Sequence, residues 1–406
     1  MTRLHILRST AVVLLAGLAV CPPMVGWAGG LKQIEGLTLH GNEASDLLAV
    51  TSAGILAAGG WDVAFWTVLD EDGVDDGRIA LVGRARSGKW AIRGVPAVTS
   101  PRKCKTDDSE ALCRKGEYVY VIGSHFGTKG PRRDEPKETK KKAKPPRGLL
   151  RVERHFMARF RPSEVDLAAA RPIRKLEIWA EPFRLHRAIN DALRASRIPL
   201  IVPAGQAGKD TDLVREAFIL DTKRQGLRKG HKWAGDLDAM DLPINIEGAA
   251  FLRSGALLLG LRYPVTAKGQ PILVELKNAD GLFASPRENP IISRVRFLEN
   301  VGSLAEPTGI RAIRRVGDDI HVITGNLDST TAIRTSLILA AHAAGHRAKS
   351  AHRVFRLPGP GGDNACQAGL LRTFPDYRTV EGLAPGPAGR FFYARDSTKA
   401  ILIEHD

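Results

Sequence analysis

Cysteine is scarce in this chain: the 406 residues include four, at positions 21, 104, 113 and 366. So few exclude a disulfide-dense scaffold. No Cys-x-x-Cys pair or clustered histidine accompanies them, which argues against a thiolate metal site. Aromatic residues make up only 6%. Past the N-terminal segment, no apolar run approaches the roughly 20 residues that a bilayer-spanning helix needs. Glycine (41) and proline (24) are abundant, and they favour a loop-rich β protein over a helical bundle. Positive charge is also in excess, with a formal net charge of +16.

Part of that excess sits at the N-terminus. Arg3 and Arg8 precede the apolar run from Ala11 to Val20, and Gly26-Trp27-Ala28 follows. A charged start, an apolar core and small residues at the end are the pattern of a secretory signal peptide. Cleavage near Ala28 is expected, leaving residues 29–406 as one exported domain, periplasmic or secreted. Lipid attachment at Cys21 is the alternative, with Val20 standing where Gly or Ala is preferred. In an oxidising compartment Cys104 and Cys113 are expected to form a disulfide. Closing so short a loop stabilises by on the order of 2–3 kcal/mol and leaves Cys366 unpaired. Residues 127–148 carry nine basic and three acidic residues. The stretch from Lys137 to Arg147 has no apolar periodicity, so a disordered basic loop is expected there, suited to contact with anionic surfaces. No nucleic-acid motif accompanies it, and export argues against a nucleic-acid partner.

One local theme recurs: Ile34-Glu35-Gly36-Leu37, Ser109-Glu110-Ala111-Leu112, Ile246-Glu247-Gly248-Ala249 and Val380-Glu381-Gly382-Leu383. A Gly-punctuated turn and an apolar strand usually follow, as in Gly116 with Tyr118–Ile122. A fifth unit has Arg311 in place of Glu (Gly309-Ile310-Arg311-Ala312), and a sixth runs from Asp46 through Val50 into Gly54. Each unit reads as strand, turn, strand. A lone hairpin cannot bury its apolar face, and radial repetition solves that. The expected fold is all-β, a β-propeller of about six or seven blades with one or two short helical insertions. The chain is expected to be a monomer.

Ile246–Ala249 with Leu257–Pro264, Glu110–Leu112 leading to Tyr118–His125, and Gly309–Asp319 resemble the signature of a bacterial family catalogued as domain of unknown function 3616. The likeness spans most of residues 35–405. More distantly, the Ile-Glu-Gly-Leu element resembles secreted phytase-like, esterase-like propeller domains. The resemblance implies a propeller fold and no set activity. Ser109-Glu110-Ala111 departs from the pattern, since glycine is usual after the glutamate, as does an apolar insert near 329–346.

Apolar spacing at Phe183, Leu185, Ile189 and Leu193 predicts a helix over 182–197. A second is expected over 329–344, capped by Ser329 or Thr330. Further strands are expected at 63–68, 79–82, 149–160, 174–180, 199–202, 216–221, 271–276, 291–297, 353–357 and 400–404.

Glutamates at equivalent blade positions converge toward one axis. Carboxylates crowded together need a cation, an arginine or a raised pKa. Oxygen-rich clusters suit Ca²⁺ or Mg²⁺, which makes Glu35, Glu110, Glu247 and Glu381 candidate metal ligands. The competing reading is structural: each glutamate pins its hairpin or pairs with Arg262 or Arg311. Ser124 and His125 are further ligand-binding candidates. As neighbours on a strand they point to opposite faces and make no catalytic dyad. His342 and His346 have i, i+4 spacing but no glutamate between them in a His-Glu-x-x-His arrangement. The acidic stretch Asp70–Gly77 reads as a hairpin turn. The preferred function is an exported binding or interaction protein that uses its channel face for an anionic ligand or an envelope partner. The alternative is a metal-dependent hydrolase of phosphate or other esters, in which carboxylates hold the metal and Arg262 or His125 contacts the anion.

Overall fold

Alternation along the apolar strands sets the architecture. Successive side chains of Tyr118–Ile122 point to opposite faces, and both faces are buried. Val119 and Val121 pack to one side, Tyr120 and Ile122 to the other. A sheet that is apolar on both faces must lie between two others, and a ring of sheets meets that need for every member.

A computed structural model describes residues 31–34, 44–69, 79–100, 105–127, 148–200, 214–329, 336–359, 362–375, 379–395 and 402–405. Among them the chain forms five sheets, the blades of a β-propeller. The first strand, β1 (Leu31–Ile34), belongs to the last blade. Blade 1 is β2 (Ala44–Ala49), β3 (Trp61–Leu69), β4 (Ile79–Ala85) and β5 (Trp90–Gly94). The outer edge of blade 2 is β6 (Ala97–Ser100), and from the axis outward come β7 (Ser109–Lys115), β8 (Tyr118–Gly123), β9 (Met157–Phe160) and β10 (Ile173–Trp179). Blade 3 is β11 (Asn245–Phe251), β12 (Leu257–Val265), β13 (Pro271–Leu276) and β14 (Ile292–Leu298). Blade 4 is β15 (Gly309–Val316), β16 (Asp319–Gly325) and β17 (Ala351–Phe355). The short β18 (Ala365–Cys366) crosses to pair in parallel with β14 before β19 (Gly369–Thr373) completes blade 4. Blade 5 is β20 (Val380–Pro385), β21 (Phe391–Arg395) and β22 (Leu402–His405), with β1 antiparallel to β22. The first and last described strands thus close the ring within one sheet.

Five apolar clusters fill the five seams. Leu112 and Phe160 meet Trp66 and Leu81 between blades 1 and 2. Tyr120 and Ile122 meet Leu257 and Leu259 between blades 2 and 3. Leu258 and Leu273 meet Ile310 and Ile320 between blades 3 and 4. Ile323 meets Leu383 and Tyr393 between blades 4 and 5, and Phe392 meets Phe65 between blades 5 and 1. Five helices decorate the ring: α1 (Ala53–Gly59), α2 (Arg184–Ala195), α3 (Asp221–Arg228), α4 (Ala279–Ala284) and α5 (Leu337–Ala341), among the described residues. The apolar stripe of α2 (Leu185, Ile189, Leu193) joins the seam between blades 2 and 3. A sixth cluster gathers Phe126, Tyr263 and Leu327 from three blades beneath Phe218, Ile219 and Ile338. It caps one mouth of the ring.

The propeller fold matches the sequence expectation; the blade number does not. Five sheets form among the described residues, where six or seven were expected. Ile34 ends the outermost strand of blade 5 rather than starting a blade, and Glu35 lies outside the described residues. The expected strand at 216–221 is a helical turn, Arg215–Leu220, that runs into α3. Its apolar residues read locally as a strand, but Phe218 and Ile219 pack on one side of a helix against the cap. Over 149–160 only Met157–Phe160 is strand. The second helix is shorter than expected and is capped by Ser336, whose Oγ accepts from Leu339 N–H at 3.1 Å. The chain turns back after it, and Leu327 N–H donates to Gly345 O at 2.8 Å. His342 therefore ends the helix and its ring lies 5.6 Å from that of Tyr263, while half-buried His346 places Nδ1 2.9 Å from Ala343 O in the turn that follows. Cys113 is a free thiol buried in the seam between blades 2 and 3, and burial pushes its pKa up. Alternation along β7 turns that side chain inward. Cys104, the bulk of the basic loop and the acidic turn at Asp70–Gly77 lie outside the described residues. Among the described residues no helix is long and apolar enough to cross a membrane.

Candidate functional site

The innermost strands β2, β7, β11, β15 and β20 surround the axis. Each has a register break at the same place. The skipped residues are Ser45, Glu110, Glu247, Arg311 and Glu381. A bulge inserts one unpaired residue and re-aims its side chain. Five bulges in register therefore direct five side chains alike, and four are charged. The residue after each bulge is small in four blades for a steric reason. A Cβ on Gly248 would lie 3.0 Å from backbone atoms of Ala312 and Ile313, and one on Gly382 would lie 2.8 Å from Asp46 Cα. The Glu-Gly and Glu-Ala pairs in the sequence thus record close approach of inner strands.

These residues interlock by charge. Arg311 Nε lies 3.1 Å from Glu247 Oε2, and its other guanidinium edge pairs with Glu381. Arg262, from β12, places Nη1 2.7 Å from Glu247 Oε1 and donates to Asn326 O and Oδ1, each at 3.2 Å. Asn245 Nδ2 donates to Glu247 Oε1 at 3.0 Å. Burial works against the charge on Arg262, but Glu247, Asp328 and Glu110 outweigh it and hold the guanidinium protonated. Arg311 and Glu247 are 1% and 2% exposed, because the helical cap covers this mouth. Of the sequence candidates, Glu110, Glu247, Arg262, Arg311 and Glu381 are thereby brought to one region.

Ser124 and His125 belong to a neighbouring cluster. The Ser124 hydroxyl donates to Asp108, which Arg154 holds at 2.6 Å. The His125 ring packs edge-on against that of His155, with centroids 4.8 Å apart, and His155 stands 6.0 Å from His186. Burial, with repulsion from neighbouring imidazoles, holds all three well below the usual histidine pKa, His155 and His186 at about 3. They are neutral packing groups within the fold.

A divalent cation needs several oxygens around one point. Glu247 and Glu381 present theirs to guanidinium groups. Among the described residues no group of three His, Cys, Asp or Glu is placed to hold a metal ion. As placed among the described residues, Glu247 and Glu381 are engaged by arginine and do not fit Ca²⁺ or Mg²⁺.

Two further features escaped the sequence reading. Deeper in the axis, Asp46 accepts from Leu47 N–H at 2.8 Å, Leu112 N–H at 2.7 Å and Arg314 Nη2 at 2.7 Å. Arg314, from blade 4, also donates to Leu112 O, Leu47 O and Leu383 O. One side chain thus ties blade 4 to blades 1, 2 and 5 and fills the axis. Its signal was available: charged residues in inner strands that are otherwise apolar. The second is a cavity of about 600 Å³ between blades 3 and 4, on the face opposite the bulges, where the β11–β12 and β15–β16 hairpins turn. Arg253, Arg294, Arg296, Arg315 and Arg356 line it, with Glu275 and Asp318. These residues come from separate strands, so no local motif announces them.

No protein-family model and no curated protein matches this chain. Among solved structures it is similar to MPT-4, a mannose phosphorylase from Leishmania mexicana in complex with phosphate ion. That match has 10% identity, covers 92% of this chain and 88% of that one, and has a TM-score of 0.39. It is also similar to an exo-1,5-alpha-L-arabinanase from a bovine ruminal metagenomic library, with 9% identity, 90% and 94% coverage and a TM-score of 0.37. A third is the WD40 β-propeller domain of Doa1, with 9% identity, 93% and 97% coverage and a TM-score of 0.32. At these scores the likenesses carry no argument about function, and the propeller rests on the chain's own five sheets.

Proposed function

We propose that the protein is an exported binding propeller that takes an anionic small molecule in the groove between blades 3 and 4. The carrying observation is the charge balance of that groove. Arg253 pairs with Asp318 at 2.7 Å, Arg296 with Glu275 at 2.6 Å and Arg356 with Asp319 at 2.5 Å. Among the described residues Arg315 donates only to the carbonyls of Phe251 and Gly317. Arg294 has no hydrogen-bond or ion-pair partner among the described residues. Two guanidinium groups with no carboxylate partner among the described residues therefore face a cavity of about 600 Å³, an arrangement that favours a di- or triacid or a phosphate ester. The anionic ligand expected from sequence is retained, and its place moves from the filled axis to the opposite face. Export rests on the N-terminal pattern of Arg3, Arg8 and the apolar run to Val20. Membership of the domain of unknown function 3616 family belongs to the same reading, supported by the fall of three of the four Glu-Gly/Ala elements on equivalent inner strands. The metal-dependent hydrolase has less support, since Arg262 and Arg311 already engage its carboxylates.

Calorimetric titration of the mature chain with citrate and with pyrophosphate tests this. At least one is expected to bind saturably and more weakly as salt rises. Arg294→Ala should weaken it at least about tenfold without lowering Tm. Equal affinity in Arg294→Ala and in the Arg294→Ala/Arg315→Ala double variant would remove the groove from consideration.

A further inference from the structure

A second cavity, of about 220 Å³, opens on the seam between blades 4 and 5. Asp319, His321, His352, Arg372, Phe391 and Tyr393 line it. It lies on the blade 5 side of blade 4, and the groove described above lies on the blade 3 side.

Three of its polar groups form one hydrogen-bonded chain. His321 Nδ1 lies 2.9 Å from His352 Nε2, and His352 Nδ1 lies 3.0 Å from Tyr393 Oη. Burial holds His321 down at about 4 and raises the Tyr393 phenol, so the chain is neutral near pH 7. A neutral imidazole carries one N–H and one lone pair, so the protons along the chain must all point one way.

Charges at its two ends choose the direction. Arg372 acts on Tyr393 at the inner end. A guanidinium there favours the phenol oxygen with its lone pairs toward the cation and its proton toward His352 Nδ1. Asp319 acts on His321 at the outer end, and a carboxylate there favours a proton on Nε2. Both fields therefore select one polarity. Tyr393 O–H donates to His352 Nδ1, His352 Nε2–H donates to His321 Nδ1, and His321 Nε2–H is left at the outer end. That nitrogen has no partner among the described residues, yet it is not one of the sealed-off buried polar atoms.

Asp319 is the complement of this donor. Its Oδ1 accepts from Arg356, whose side chain is exposed, and a carboxylate has further lone pairs to offer. No hydrogen bond or ion pair joins Asp319 to His321 directly among the described residues. The cavity thus presents an N–H and a carboxylate oxygen that do not satisfy each other. A group that accepts from one and donates to the other satisfies both. An anion meets Asp319, and an ammonium meets Arg356 and wastes the His321 donor, so a neutral amide is favoured over either.

Shape and size narrow the rest of the ligand. The half-buried Phe391 ring lies 4.9 Å from His321 and 4.8 Å from His352, and Val354 and Leu371 extend this apolar wall. A cavity of about 150 Å³ suffices for benzene, and drug-sized ligands occupy roughly 300 Å³ or more. At about 220 Å³ the pocket suits one six-membered ring bearing a small polar group.

We propose that this pocket binds a neutral monocyclic aromatic carboxamide. The ring lies against Phe391, the carbonyl accepts from His321 Nε2–H, and the amide N–H donates to Asp319. The site does not depend on anion binding in the groove.

The test is titration of the full mature chain with benzamide and nicotinamide, beside benzoate and benzylamine, by ligand-observed NMR and calorimetry. Saturable binding of at least one amide is expected, with benzoate and benzylamine at least about tenfold weaker. Asp319→Ala removes a partly exposed side chain and should weaken the amide at least about tenfold, as should His321→Phe. Phe391→Leu should weaken it by removing the aromatic wall. Asp319→Asn keeps an acceptor and removes the charge, so the preference for benzamide over benzoate should narrow, a change that a purely structural Asp319 would not produce. No saturable binding of either amide up to about 5 mM, benzoate binding as tightly as benzamide, or amide affinity unchanged in both Asp319→Ala and Phe391→Leu overturns the assignment.

Discussion

Replacing Arg314 with leucine is expected to cost about 3–5 kcal/mol of stability at pH 8. The buried guanidinium bonds to Asp46 and to backbone carbonyls of three other blades. Leucine fills much of the same space but leaves the 0%-exposed Asp46 carboxylate without its counter-ion. Burial already pushes Asp46 up to about 6, against the pull of Arg314 and the Leu112 and Leu47 amides. Without Arg314 the pKa rises further, and Asp46 takes up a proton instead of remaining a bare ion. The loss should therefore be smaller at pH 5 than at pH 8. Adding Asp46→Asn to Arg314→Leu should restore part of it at pH 8. Urea denaturation of the three variants at both pH values reads this directly. A loss under about 1 kcal/mol at pH 8 would mean that the axis is not held by this pair.

Stability is expected to collapse between pH 6 and pH 4. Burial lowers His155 and His186 to about 3 and His321 and His342 to about 4, against an unfolded value of about 6.5. A depressed histidine binds protons more readily in the unfolded chain. Its contribution is present above pH 6.5 and is lost as pH falls toward the folded value. At pH 5 each of the four has given up about 2 kcal/mol. Asp46 and Asp241 act in the opposite sense. Burial raises both to about 6, so their contribution is present below the unfolded value near 3.8 and is lost as pH rises through 6. At pH 5 they return only about 1 kcal/mol each. The histidines win, and the net loss is comparable to the entire stability of many domains, about 5–15 kcal/mol. Thermal melts from pH 8 to pH 4 should show Tm falling steeply below about pH 6. A Tm that holds level to pH 4.5 would mean that these imidazoles are solvated or already charged.

The ring was legible in the sequence because its cause is local. A charged residue followed by glycine or alanine, then a strand apolar on both faces, reports a bulge and a close approach on an inner strand. Arg311 in the place of glutamate was readable as the same unit, and pairing with Arg262 or Arg311 was one of the two readings of the glutamates. The blade number was harder to read. Ile34, which opens the fourth copy of the motif, ends an outermost strand, while blade 1 presents Ser45 at the bulge and so lacks the mark. The run Ala217–Leu220 is apolar enough for a strand and becomes helix because the cap needs Phe218 and Ile219 on one side. Neither cavity was readable. Arg253 and Arg294 of blade 3 meet Arg315 and Arg356 of blade 4 only across a seam, and His321 and His352, joined by strand pairing within blade 4, meet Phe391 only across the next. Proximity of that kind arises from closing the ring and leaves no trace in spacing along the chain.

The interlock at the bulge face is tested most directly by a double-mutant cycle between Glu247 and Arg311, with Glu247→Gln, Arg311→Met and the double variant unfolded in urea at pH 7.5. Convergence of the inner strands on a shared ion cluster predicts a coupling of at least about 1 kcal/mol, with the double variant more stable than the two single losses added together. Losses that add to within about 0.5 kcal/mol would contradict it, because side chains from blades 3 and 4 that never meet have nothing to share.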